Sequence, residues 1–126
     1  MKRNILLIYV IVMILLFHCS NENPTEPSWD VRFITLNDAI RIDNQSDWEV
    51  HYFAVEQLSS NIIDWIPYCS VGSQKQIPCG KTAYVVYSKS EIPGYYEGCT
   101  IRLYWWFCNR DDAIEGAIHS ILLQTK

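Results

Sequence analysis

Chemistry in a chain of 126 residues rests on its cysteines, histidines and carboxylates, and their spacing limits what each set can do. Structural zinc wants tight pairs such as C-x2-C. Here Cys69 and Cys79 are ten apart, Cys99 and Cys108 nine apart, and only His51 and His119 follow the first segment, so no metal site is expected. Asp43, Asn44, Asp47 and Glu49 gather oxygen ligands for Ca2+, but they lack the glycine of an EF-hand loop and suit a hairpin turn. Gly80, Lys81 and Thr82 imitate the end of a phosphate loop. Lys75 stands where that loop needs its first glycine, and the TAYVVYS that follows reads as a strand, not a helix. Asp111 and Asp112 are adjacent, so in extended backbone they point apart and form no acid and base pair. No G-x-S-x-G or H-E-x-x-H motif is present. No catalytic residue and no cofactor are expected. A small hydrolase built on His51 or His119 is the alternative, and a cleft with converging titratable groups would be its sign.

The four cysteines after Cys19 are even in number, which in an exported chain points to disulfides. If CTIRLYWWFC (Cys99 to Cys108) is one strand, its ends lie about 30 Å apart, against a limit of ~7 Å for a bridge. Cys99 therefore does not pair with Cys108. Either Cys69 joins Cys79, or both cross to the later pair. The first is preferred, because Gly72, Ser73 and Pro78 mark a loop that such a bridge would close, at about 3 kcal/mol in the entropy model. Cys99 is then a small buried hydrophobe.

A binding surface has one candidate. Within CTIRLYWWFC, Cys99, Ile101, Leu103, Trp105 and Phe107 share one face, and Arg102, Tyr104, Trp106 and Cys108 the other. If the second face is open, Arg102, Tyr104 and Trp106 recur about 7 Å apart and can stack on sugar rings or anchor a protein. A covering loop or tail would close it, since exposed apolar stripes are uncommon.

Elements able to position these residues are short strands: VRFITL (31–36), AIRIDN (39–44), WEVHYFAVEQL (48–58), IIDWI (62–66), TAYVVYS (82–88) and the cysteine-flanked strand (99–108). Turn residues separate them at 44–47, 59–61, 72–73, 78–80 and 93–94. Their number and spacing predict an all-β fold, a single immunoglobulin-like two-sheet β-sandwich over residues 29–126. From Ala113 to Leu123 the apolar residues fit both a helix and an alternating strand. A closing strand over Ala117 to Gln124 is expected, because a final paired strand serves a sandwich better than one short helix.

Residues 1–18 differ in kind. Lys2 and Arg3 precede an apolar run from Ile5 to Phe17, whose thirteen residues fit a signal sequence and fall short of the ~18 of a spanning helix. Cys19 follows directly, then SNENPTEPS, where Pro24 and Pro27 favour extended backbone and a reach of about 28 Å. A formal charge of −4, with Lys2 and Arg3 confined to the first segment, argues against nucleic-acid binding and against electrostatic attachment to anionic lipid.

A Cys behind an apolar run, with Leu16 before it and Ser20 after it, resembles the signal of bacterial lipoproteins. His18 stands where that family carries Gly, Ala or Ser. With the NPTEP spacer and the DWIPYC, IPCG, IPGYYEG and IRLYWW stretches, most of the chain resembles small uncharacterised lipoproteins of Gram-negative envelopes. The resemblance implies residues 1–18 as a signal peptide, Cys19 as the lipidated residue, residues 19–28 as attachment and tether, and a place on the cell envelope. It brings no catalytic residues. The expected role is that of a lipid-anchored binding or structural module, meeting the membrane through its anchor and an envelope protein or glycan through its domain. A structural subunit of an envelope assembly is the other alternative, with an exposed sheet edge as its sign.

Overall fold

A computed structural model describes residues 30–69 and 75–126. The expected signal peptide, lipidated Cys19 and tether lie outside the described residues.

Alternation of apolar and polar side chains produces seven strands: β1 (Val31–Thr35), β2 (Ala39–Asn44), β3 (Glu49–Glu56), β4 (Gln76–Ile77), β5 (Thr82–Val86), β6 (Thr100–Cys108) and β7 (Ile114–Gln124). All pairings are antiparallel, in a three-stranded sheet β1-β2-β5 and a four-stranded sheet β4-β3-β6-β7. The fold is the expected two-sheet β-sandwich. Ile40, Ile42 and Val85 from one sheet meet Val50, Tyr52, Ala54, Ile101, Leu103 and Phe107 from the other, and Ile92 plugs the core from the loop before β6. Cys99 is a buried free thiol in that core, as expected of a small hydrophobe.

The tail resolves as a strand, longer than expected, paired with β6. It carries one irregularity. Trp105 pairs with His119 and Phe107 with Glu115, so Gly116, Ala117 and Ile118 bulge opposite Trp106, and Gly116 takes φ +76°. The two extra residues lengthen the strand but leave its alternation in step, with Glu115, His119, Ile121 and Leu123 on one face.

IIDWI is not a strand. Among the described residues, 63–69 joins no ladder; after a 3-10 turn at Ser59–Asn61 the chain runs back across the outer face of the four-stranded sheet. The disulfide is also a correction: Cys69 bonds to Cys108, not to Cys79, with Cα atoms 5.7 Å apart. The expected local loop does not form because Gln76 and Ile77 pair with β3, and Gly80 N–H donates to the Asn44 carbonyl, which fastens the 78–80 turn to β2. Cys69 is carried over the end of β6 instead.

Candidate functional site

Register determines which side chains share the outer face of the four-stranded sheet. Across β3 and β6, Glu49 pairs with Cys108, His51 with Trp106, Phe53 with Tyr104 and Val55 with Arg102. Residues two apart on a strand point the same way, so these eight side chains form one surface, and Gln76 joins it beside His51. Segment 63–69 lies over it with its own alternation. Ile63, Trp65, Pro67 and Cys69 are half-buried, while Ile62 and Ile66, 84% and 81% exposed, and Tyr68 face outward.

Trp65 is the centre of the arrangement. Its ring lies 5.0 Å from that of Phe53, 4.6 Å from Tyr104 and 5.8 Å from Trp106. Trp106 Nε1 donates to the Tyr68 carbonyl at 3.0 Å, and the disulfide fastens the end of the segment. Four aromatic rings in offset and tilted contact favour the closed position of the segment by area and by quadrupole geometry. A cleft of about 340 Å³ remains beside them, lined by His51, Phe53, Trp65, Tyr68, Lys75 and Trp106 among others. The Lys75 ammonium sits 5.1 Å from the centre of the Phe53 ring.

The expected strip is therefore altered. Arg102, Tyr104 and Trp106 do share the outer face, but Trp106 is 3% exposed and the other two are half-buried, with Trp65 lying over Tyr104 and Trp106. The open aromatic surface belongs to Phe53, Trp65 and Tyr68, which sequence reasoning did not assign to a site. The alternation of HYF and of IIDWIPYC carried that signal, but nothing in it said that the two runs would face each other.

His51 is buried, stacks on Trp106 at 6.1 Å and has Nε2 2.6 Å from Glu49 Oε1; Gln76 donates to the other Glu49 oxygen. Glu49, His51 and Cys108 offer a carboxylate oxygen, an imidazole nitrogen and a sulfur within 4.8 Å of one another. The Cys108 sulfur is spent in the disulfide, so it is not the thiolate that a metal takes. His119 lies on the far side of the sheet against Trp105 and Phe107, beside a groove of about 260 Å³ that includes Glu115. Among the described residues no hydroxyl or free thiol is hydrogen-bonded to either histidine.

Compared with known protein families, with curated proteins and with solved structures, the chain matches none. The site stands on its geometry.

The calcium candidates do not converge. Asp43 accepts from Arg41 twice at 2.9 Å and from Thr82 at 2.7 Å on the outer face of the three-stranded sheet. Those hydrogen bonds, Arg41 foremost, hold its carboxyl below the usual carboxylate range. Asn44 is buried, its oxygen accepting from Ser46 and its amide donating to the Trp48 and Ile77 carbonyls. It is a structural tie between the sheets.

Proposed function

We propose that the protein is a lipid-anchored cell-envelope binding module whose ligand enters the cleft beside Trp65. The single observation that carries this reading is the four-ring cluster of Phe53, Trp65, Tyr104 and Trp106 with an opening at its side. A ring face supplies apolar contact, while Tyr68 and Lys75 bring polar groups to the lining. That combination suits a sugar ring, which has one C–H face and a polar edge. A volume of about 340 Å³ lies at the small end of ligand sites, typically ~300–1,000 Å³, and favours one short glycan over an extended cofactor.

Soluble oligosaccharides cut from envelope polysaccharide, titrated into the full-length chain in detergent, test it through tryptophan fluorescence. Saturable change in the wild type, weakened at least tenfold in Trp65→Ala and retained in Arg32→Ala, is the expected result; a flat trace across the oligosaccharides overturns the glycan reading. Membrane attachment rests on the resemblance of the first nineteen residues and is tested separately at Cys19.

One observation favours a second reading. β7 is eleven residues long and pairs only on its β6 side among the described residues, leaving Ala117 to Ser120 exposed. A free edge of that length can add a strand from another envelope protein, as in a structural subunit. A hydrolase reading draws on the Glu49 and His51 pair, which holds a base without a nucleophile beside it.

A further inference from the structure

The cross-strand pair Glu49 and Cys108, with His51 two residues along β3, places three different metal-ligand types on one patch of sheet. Two observations make it a built cluster. His51 and Cys108 are 2% and 3% exposed, and Gln76 holds the second Glu49 oxygen, the kind of outer partner that orients a ligating carboxylate. A cleft of about 280 Å³ lined by Glu49, Cys108, Asn109 and Arg110, among others, leads from solvent to the Glu49 and Cys108 side. In the oxidised protein the cluster has only two usable donors, His51 and Glu49, and each satisfies the other.

We propose that Glu49, His51 and Cys108 form a thiol-gated site for a zinc-class divalent metal, closed by the Cys69–Cys108 disulfide and opened when a dithiol reduces it. In the first step the dithiol gives two electrons and two protons to the disulfide, which becomes two thiols, and the dithiol becomes its own disulfide. In the second the metal displaces the Cys108 thiol proton to solvent. Glu49 and Nε2 of His51 exchange their mutual hydrogen bond for metal bonds, and the neutral ring passes its proton from Nε2 to Nδ1 through solvent. Zinc bonds of ~2.0–2.3 Å place tetrahedral ligand atoms roughly 3.3–3.7 Å apart. Donors already within 4.8 Å reach that spacing by side-chain rotation. One thiolate, one imidazole and one carboxylate suit zinc rather than magnesium or calcium, and the fourth position stays open.

Cobalt(II) reports on such a site through sulfur-to-metal charge-transfer and tetrahedral d–d absorption. The full-length chain, reduced and then freed of reductant without air, is expected to bind one Co2+ with both features and to lose them when Zn2+ is added. The oxidised chain is expected to bind at least 100-fold more weakly. Cys69→Ser frees Cys108 without reductant and should show the bands directly. Adding Cys108→Ser to it should abolish them, which separates this site from the free thiol of Cys99. In the Cys69→Ser background, His51→Gln should weaken binding at least tenfold. Should that variant unfold by circular dichroism, Glu49→Gln, at a side chain about one-third exposed (32%), carries the same expectation. Unchanged bands after Cys108→Ser, or no bands in either reduced wild type or Cys69→Ser, overturn the proposal.

Discussion

Asn44 shows how much one side chain can hold. It sits at the end of β2, yet its amide reaches the Trp48 carbonyl at 2.8 Å and the Ile77 carbonyl at 2.9 Å, on either side of the four-stranded sheet's start. Removing it takes a donor from the buried Ile77 carbonyl and the acceptor from the Ser46 N–H, while Ser46 Oγ still donates to the Trp48 carbonyl at 3.0 Å; each lost partner costs about 1–3 kcal/mol. Asn44→Ala is therefore expected to lower unfolding stability by about 3 kcal/mol in a urea titration, well beyond the effect of an exposed polar truncation. Glu56 makes a different prediction. Its carboxylate accepts the Leu58 and Ser59 backbone N–H groups at 2.9 and 2.8 Å, and the Leu58 bond above all holds its pKa below the ordinary glutamate value. A depressed folded-state pKa contributes stability that is fully present above the unfolded value and is lost as pH falls through the folded one. Acid titration of stability should accordingly fall more steeply in the wild type than in Glu56→Gln across the carboxylate range.

At the level of elements, the return segment depends on how it is fastened at both ends. Its start is set by Gly94, whose φ is +80° and where an added Cβ would lie 2.3 Å from Ser59 Oγ and 2.9 Å from Ser59 Cβ. Gly98 has the same φ and open space around it. Gly94→Ala should thus cost clearly more than Gly98→Ala, about 2–4 kcal/mol against about 1, because overpacking is added to backbone strain. The end of the segment is set by the disulfide. It closes 39 residues of chain, for about 4 kcal/mol in the entropy model. Cys69→Ser should leave the seven strands intact and speed amide exchange selectively over 62–69, measured by mass spectrometry. Equal acceleration in β3 and β6 would mean instead that the bridge holds the sheet itself.

For the whole molecule, the unequal sheets explain where surfaces remain open. Phe33 of β1 packs on Trp105 of β6 with ring centres 4.7 Å apart, and Ile121 and Leu123 of β7 pack on the core, while the earlier part of β7, from Gly116 to Ser120, stays exposed. His119 and Glu115 line a groove there. In the proposed reading, attachment to the membrane rests on the first nineteen residues. Cys19→Ala is expected to shift the protein from the membrane to the soluble fraction and to end incorporation of labelled palmitate, which fractionation and autoradiography check.

Composition and alternation alone carried the fold class: AIRIDN, TAYVVYS and TIRLYWWFC read as strands because a half-buried strand must place like residues two apart, and they are strands. The same rule placed Arg102, Tyr104 and Trp106 on one face. It was silent on what covers that face, since a residue's partners across 30 or 40 positions are fixed by chain path and not by local periodicity. IIDWI therefore read as one more strand, and Cys69 read as the neighbour of Cys79. Only the tertiary structure brought Trp65 onto Phe53 and Tyr104, and Cys69 onto Cys108, because burying an aromatic row against a sheet face outweighs closing the shortest loop.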